Sequence, residues 1–93
     1  MKKGLREKIA EITDIPKDFL MNMPRITLLG NRELHIDNYK GLLEYTNELI
    51  SVASTNKIIV VKGNGLIITR IVEKSVYIGG SILSVEFTNK NKK

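Results

Sequence analysis

His35 is the single histidine of this 93-residue chain, and it stands in the stretch Glu33-Leu34-His35-Ile36-Asp37. On an extended backbone, alternation puts Glu33, His35 and Asp37 on one face and Leu34 and Ile36 on the other. An imidazole beside two carboxylates has the composition of a general base or of part of a metal centre. A metal centre needs three or four convergent ligands with supporting hydrogen bonds, and this stretch supplies no such set. Glu33, Asp37, Glu44 and Glu48 make a looser acidic group. Carboxylate catalysis needs two such residues in a cleft with contrasting environments, and their spacing gives no sign of one. Solvated strand faces account for all four.

Lys57, Lys62, Arg70 and Lys74 fall on adjoining apolar runs and form a candidate basic stripe. Sequence-tolerant nucleic-acid binding adds aromatic side chains on which bases stack. Here Tyr39, Tyr45 and Tyr77 do not interleave with the bases, and Glu73 and Glu86 dilute the stripe. Gly63-Asn64-Gly65 suggests a phosphate cradle. The string continues Leu66-Ile67-Ile68, however, with neither the third glycine of a dinucleotide fingerprint nor the Gly-Lys-Ser/Thr of a P-loop. Asn64 and Gly65 suit the positive φ values of a tight hairpin turn instead.

The elements that would carry these residues change character near Arg25. Before it, Leu5, Ile9 and Ile12 recur at helical spacing, with Ala10 and Ile15 widening the stripe and Glu7, Lys8 and Glu11 on other faces. This predicts an amphipathic helix limited by Pro16, followed by Phe19, Leu20 and Met21. A helix of about three turns is marginal in water unless its apolar face docks, and the surface it finds is its own sheet, a partner or a lipid interface. After Arg25 the period becomes two. Eight short segments rich in Ile, Val, Leu and Tyr alternate with turn signals at Gly30-Asn31, Asn38 to Gly41, Asn47, Asn56, Gly63 to Gly65 and Gly79-Gly80.

With no helices offered as crossovers, the fold class is mainly β. It is a small antiparallel sandwich, roll or partly closed barrel of about eight short strands preceded by the N-terminal helix. A short β-solenoid is the alternative. The expected core is Leu34, Ile36, Tyr45, Ile50, Val52, Val60, Ile68, Val76, Ile78, Val85 and Phe87. The chain divides into an amphipathic segment 1–24, a β domain 25–88 and a basic tail 89–93.

Size and charge set the limits. Ninety-three residues allow one core. No cysteine is present, which removes disulfides, thiolate metal sites and thiol nucleophiles. The net charge of +5 is concentrated at the ends: residues 25–88 carry seven bases and six acids, while Lys90, Lys92 and Lys93 are unopposed. Such ends favour an anionic surface weakly and without specificity. No apolar run approaches the ~20 residues of a membrane-spanning helix, and no export signal is visible, so the cytoplasm is the expected compartment.

Three stretches in this order, "PKDFLMNMPRITLLGN", "HIDNYKGLLEY" and "VKGNGLIITRI…YIGGSILSVEF", make the chain resemble the YabP/YqfC family of sporulation proteins over nearly its whole length. The resemblance implies a protein made in the mother cell of an endospore-forming bacterium. It also implies a working partner, a larger YqfD-like membrane-associated protein, and offers no catalytic residues to carry over. The expectation is therefore a non-enzymatic adaptor or assembly component, cytoplasmic and peripheral at a membrane, with no cofactor. Its partner contacts would be Leu5, Ile9, Ile12, Phe19, Leu20 and Met21. A homo-oligomer is a second kind of partner. No specific nucleic acid is expected, and a weak nucleic-acid or anionic-surface binding module is the alternative function.

Overall fold

The computed structural model describes residues 23–89. The expected N-terminal helix, with its six contact candidates, and residues 90–93 of the basic tail lie outside the described residues. Six strands follow one another, β1 (Arg25–Leu29), β2 (Glu33–Asp37), β3 (Gly41–Tyr45), β4 (Leu49–Ala53), β5 (Lys57–Val72) and β6 (Ser75–Asn89). They form one antiparallel sheet in the order β1-β2-β6-β5-β4-β3, with β1 and β3 at its two ends, so the sheet is not closed into a barrel. Purely antiparallel pairing also replaces the solenoid alternative.

Six strands stand where eight were expected because Gly63 to Gly65 and Gly79-Gly80 are not turns. Pairing between β5 and β6 continues on both sides of them, from Lys57↔Asn89 to Val72↔Ser75, with register shifts at Lys62/Gly63, Asn64/Ile67 and Ile68/Arg70. Bulges of this kind bend a strand and sharpen its twist. The hairpin turn lies at Glu73-Lys74, between the apolar segments that end at Val72 and begin at Ser75. Glu73 takes φ 47° there, a region uncommon for residues other than glycine, and the Lys74 carbonyl accepts the Asn38 and Tyr39 amides at 2.7 and 3.3 Å. Those two bonds tie the turn to the β2–β3 connection.

The bends divide the sheet into two four-stranded ends that share the long strands. At one end β2 pairs with Ser75–Gly79 of β6 and carries β1 on its outer side. At the other β4 pairs with Ile58–Lys62 of β5 and carries β3. Because cross-strand partners point to the same face, register lays out the inner rows: Leu28–Leu34–Ile78–Ile68 and Ile26–Ile36–Val76–Ile71 at the first end, Leu42–Val52–Ile59–Phe87 and Tyr45–Ile50–Val61–Val85 at the second. The middle members of all four rows join Leu66 and Ile82 in a single buried core. Each fully buried Leu, Ile or Val adds about 1.5–3 kcal/mol relative to leaving it in water.

Leu34, Ile36, Ile50, Val52, Val76 and Ile78 of the expected core are buried, and Ile68 and Val85 pack against them. Three expectations are corrected. Val60 points to the outer face, because the run Ile58 to Val61 is apolar throughout and alternation gives it no phase; Ile59 and Val61 are the buried pair. Phe87 ends its row on the unpaired flank of β6 and is 55% exposed. Tyr45 also ends a row, on the edge strand β3, and stays exposed while its hydroxyl accepts the Ile68 amide at 2.9 Å. That bond links β3 to the far half of β5.

Candidate contact surface

The residues with chemical potential sit on the outer face of the β1-β2-β6-β5 end. Alternation along β2 turns Glu33, His35 and Asp37 to this face, as their sequence spacing requires. Register then sets three rows across the four strands: Leu29–Glu33–Gly79–Ile67, Thr27–His35–Tyr77–Arg70 and Arg25–Asp37–Ser75–Val72.

In the middle row the His35 ring meets the Tyr77 ring with centroids 4.2 Å apart and planes at 54°. The Arg70 guanidinium carbon lies 5.5 Å from the Tyr77 centroid, within the range of a cation–π contact. Thr69 Oγ1 donates to the Tyr77 carbonyl at 3.4 Å. In the lower row Ser75 Oγ donates to Asp37 Oδ1 at 2.6 Å, and Arg25 Nε lies 3.9 Å from Asp37 Oδ2. Asp37 is thus held by Arg25 and Ser75, and His35 packs on an aromatic ring. The three residues share a face but not a hydrogen bond, and Glu33 stays exposed. Nothing here orients the imidazole as a base toward a bound substrate.

The other chemical candidates do not converge. Glu44 pairs with Ser51 on the outer face of the opposite end of the sheet, and Glu48 lies in the β3–β4 turn. Among the described residues no three imidazole or carboxylate groups gather as a metal site would need. Lys57 Nζ donates to Asn89 Oδ1 at 2.6 Å and Lys62 Nζ lies 3.7 Å from Glu86 Oε1. Arg70 lies at the far end of the bent β5 and Lys74 in the turn beyond it, so the four cations are spread along the molecule, and Lys57, Lys62 and Arg70 each have a local partner. Nor does Gly63-Asn64-Gly65 cradle an anion; its backbone faces β6 and the β3–β4 turn.

What the outer face offers is contact. Leu29 and Ile67 are 51% and 52% exposed at the ends of the upper row, and between them Gly79 leaves room for the Thr69 methyl, which would lie 3.3 Å from a Cβ there. Below them lie the imidazole, phenol and guanidinium. Sequence reasoning placed His35 here and named Arg70 only as part of a basic stripe, but it missed Leu29 and Ile67, and its reading that Tyr77 does not interleave with the bases is corrected by the Arg70 guanidinium over the Tyr77 ring. No local signal groups these residues with His35, because they join it only through the β1–β2, β2–β6 and β5–β6 registers. Among the described residues no helix is long and apolar enough to cross a membrane.

The uncharacterized protein YqfC of Bacillus subtilis (strain 168) is 24% identical over 86 residues, an alignment that covers 92% of each chain. No solved structure matches the chain. The YabP family model matches residues 22–93, which take in the whole sheet, both bends and the outer face, and the chain accordingly belongs to the YabP family.

Proposed function

We propose that this chain is a non-enzymatic sporulation protein of the mother cell, an adaptor that works through protein contacts with a larger YqfD-like membrane-associated protein. It is cytoplasmic and peripheral at the membrane in this reading. The observation that supports it is the outer face of the β1-β2-β6-β5 end, where exposed Leu29 and Ile67 flank the His35–Tyr77–Arg70 row. Exposed apolar side chains grouped beside aromatic and guanidinium groups are the composition of a binding surface. The same row favours contact over catalysis, since the His35 ring packs on the Tyr77 ring, the Arg70 guanidinium lies over that ring, and the face is a sheet surface. Of the N-terminal candidates, Leu5, Ile9 and Ile12 form the stripe best suited to a second contact with the partner or the membrane surface.

The test is capture of the full chain with a co-expressed YqfD-like membrane protein in sporulating cells. Wild-type protein should be retained in the membrane fraction. A Leu29→Lys/Ile67→Lys variant that keeps its far-UV dichroism should lose that retention and lower spore yield, whereas His35→Phe, which keeps a ring against Tyr77 and removes only the imidazole nitrogens, should sporulate nearly as well as wild type. Full retention and full spore yield of the double-lysine variant would remove this face from the proposal.

A further inference from the structure

β6 changes neighbours at its bend. Ser75–Gly79 lies between β2 and β5, but beyond Gly80 the strand pairs with β5 alone, and from Leu83 to Asn89 its other flank is unpaired among the described residues. A bare flank offers backbone donors and acceptors to any further strand, and folded proteins blunt such edges with proline, lysine, bulges or a covering group. The other free edges of the sheet carry a device of this kind. β1 starts directly after Pro24, β3 is bulged between Leu42 and Glu44, and the far half of β5 has its Ile68 amide taken by the Tyr45 hydroxyl at 2.9 Å. Past the bulge at its start, the β6 stretch Leu83-Ser84-Val85-Glu86-Phe87-Thr88-Asn89 has neither proline nor lysine. Its single charge, Glu86, is matched within the chain by Lys62 at 3.7 Å. Leu83 is 69% exposed and Phe87 ends its inner row in the open.

The side chains along this flank indicate which strand fits it. Val85 and Phe87 share the inner face with Val61 and Ile59, while Ser84 and Glu86 share the outer face with Lys62 and Val60. Alternation counted from Val85 puts Leu83 on the inner side as well. Set antiparallel to itself about Val85, the segment matches at every position: Leu83 opposes Phe87, Val85 opposes Val85, and Ser84 opposes Glu86. Moving the centre to Glu86 sets two carboxylates opposite each other, which destabilises a sheet. Moving it to Ser84 sets Glu86 against Ile82, which is buried at the bend.

We propose that this flank of β6 is the two-fold interface of a homodimer, in which Leu83–Phe87 of two copies pair antiparallel about Val85. The same patch serves on both copies, and each adds a strand edge to the other. The four strands β3-β4-β5-β6 of each copy become one continuous sheet, and the inner row Leu42–Val52–Ile59–Phe87 runs on to Leu83 of the second copy. The interface uses no residue of the outer face at the β1-β2-β6-β5 end, so the inference stands without the sporulation reading.

Sedimentation of the full chain tests it. Wild type should form a dimer that dissociates on dilution. Leu83→Lys/Phe87→Lys sets like charges opposite each other in both halves of the interface and should weaken the dimer roughly tenfold or more. Both side chains are more than half exposed, so the far-UV dichroism should be kept. Leu83→Lys/Phe87→Glu sets opposite charges face to face and should recover most of the affinity. A wild-type chain that stays monomeric overturns the proposal, and so does a dimer that the double-lysine variant leaves intact. Equal loss in the two variants would assign the flank to another register or to a strand of another protein, with the same result. Should the variants unfold, a wild-type sample that mixes isotope-labelled and unlabelled copies decides. Isotope-filtered NOEs should connect the Leu83 methyls of one copy to the Phe87 ring of the other, and their absence from a dimeric sample overturns the proposal.

Discussion

β5 and β6 each bend once, and a hairpin turn grips each bend in nearly the same way. At β5, Gly63 N donates to the Glu48 carbonyl at 3.1 Å and Leu66 N to the Asn47 carbonyl at 2.8 Å; at β6, Gly80 N donates to Arg32 and Ile82 N to Asn31 at 3.2 and 2.8 Å. Each bend follows a buried strand residue, Val61 or Ile78, and leads to another, Leu66 or Ile82. The difference is one residue. Two positions separate the gripped amides in β5, Asn64 and Gly65, where β6 has Ser81 alone.

That extra residue separates two demands that β6 places on a single glycine. In β5 the close approach falls on Gly63, where a Cβ would collide with the Ser81 carbonyl, and the left-handed backbone falls on Gly65, at φ 62° with open space around it. In β6, Gly80 meets both. Its φ is 126° and a Cβ would lie 2.6 Å from the Gly65 carbonyl. The two bends therefore press on each other: each occupies the room that a side chain in the other would need.

Replacing Gly80 with alanine should do the most damage of any single substitution in either bend. Overpacking costs roughly 1–3 kcal/mol and a disallowed backbone another ~1–3 kcal/mol, so about 3–5 kcal/mol is expected. For a domain of this size that lowers the thermal midpoint by roughly 12–40 °C. A midpoint within a few degrees of wild type would show that the β6 bend has room to open. Gly63→Ala should come second. Its backbone is ordinary, so the collision with the Ser81 carbonyl is the whole cost, about 2–3 kcal/mol. If Gly63→Ala is the milder of the two by thermal unfolding, the division of demands between the bends is sharpened; if it is clearly the worse, close packing alone governs them.

The bends also explain what the sequence could and could not convey. Period-two alternation marks strand material correctly from Arg25 onward, and it fixes the facing of Leu34 and Ile36 against Glu33, His35 and Asp37. Gly-Asn-Gly is a different matter. A hairpin turn and a strand bulge both call for positive φ and close backbone, so the same residues serve either, and only the pairing on both sides tells them apart. The real turn at Glu73-Lys74 carries no glycine, asparagine or proline and gives no such signal. Reading the two bends as turns also hides the contact surface, because it cuts β5 and β6 into separate short strands and leaves the pairing that brings Arg70 to Tyr77 unassigned. His35 could be assigned a face, but its aromatic neighbour could not be named.

The smallest effect belongs to Gly65, and it tests the division most directly. No atom lies within 4 Å of a Cβ built there, so an alanine meets no steric obstacle and the cost is conformational alone. Left-handed backbone costs an L-residue roughly 1–2 kcal/mol, which lowers the midpoint by about 4–15 °C. Asparagine tolerates this region better than other non-glycine residues, so Gly65→Asn should restore part of the loss. At Gly80 the same asparagine should restore nothing, because the Gly65 carbonyl blocks its Cβ whatever the backbone prefers. Thermal unfolding of the four variants, Ala and Asn at each position, therefore separates strain from collision. Rescue by asparagine at both sites would mean that the β6 bend yields and that Gly80 is selected for its φ. Rescue at Gly65 alone would mean that contact between the two bends holds the sheet in its folded-over shape.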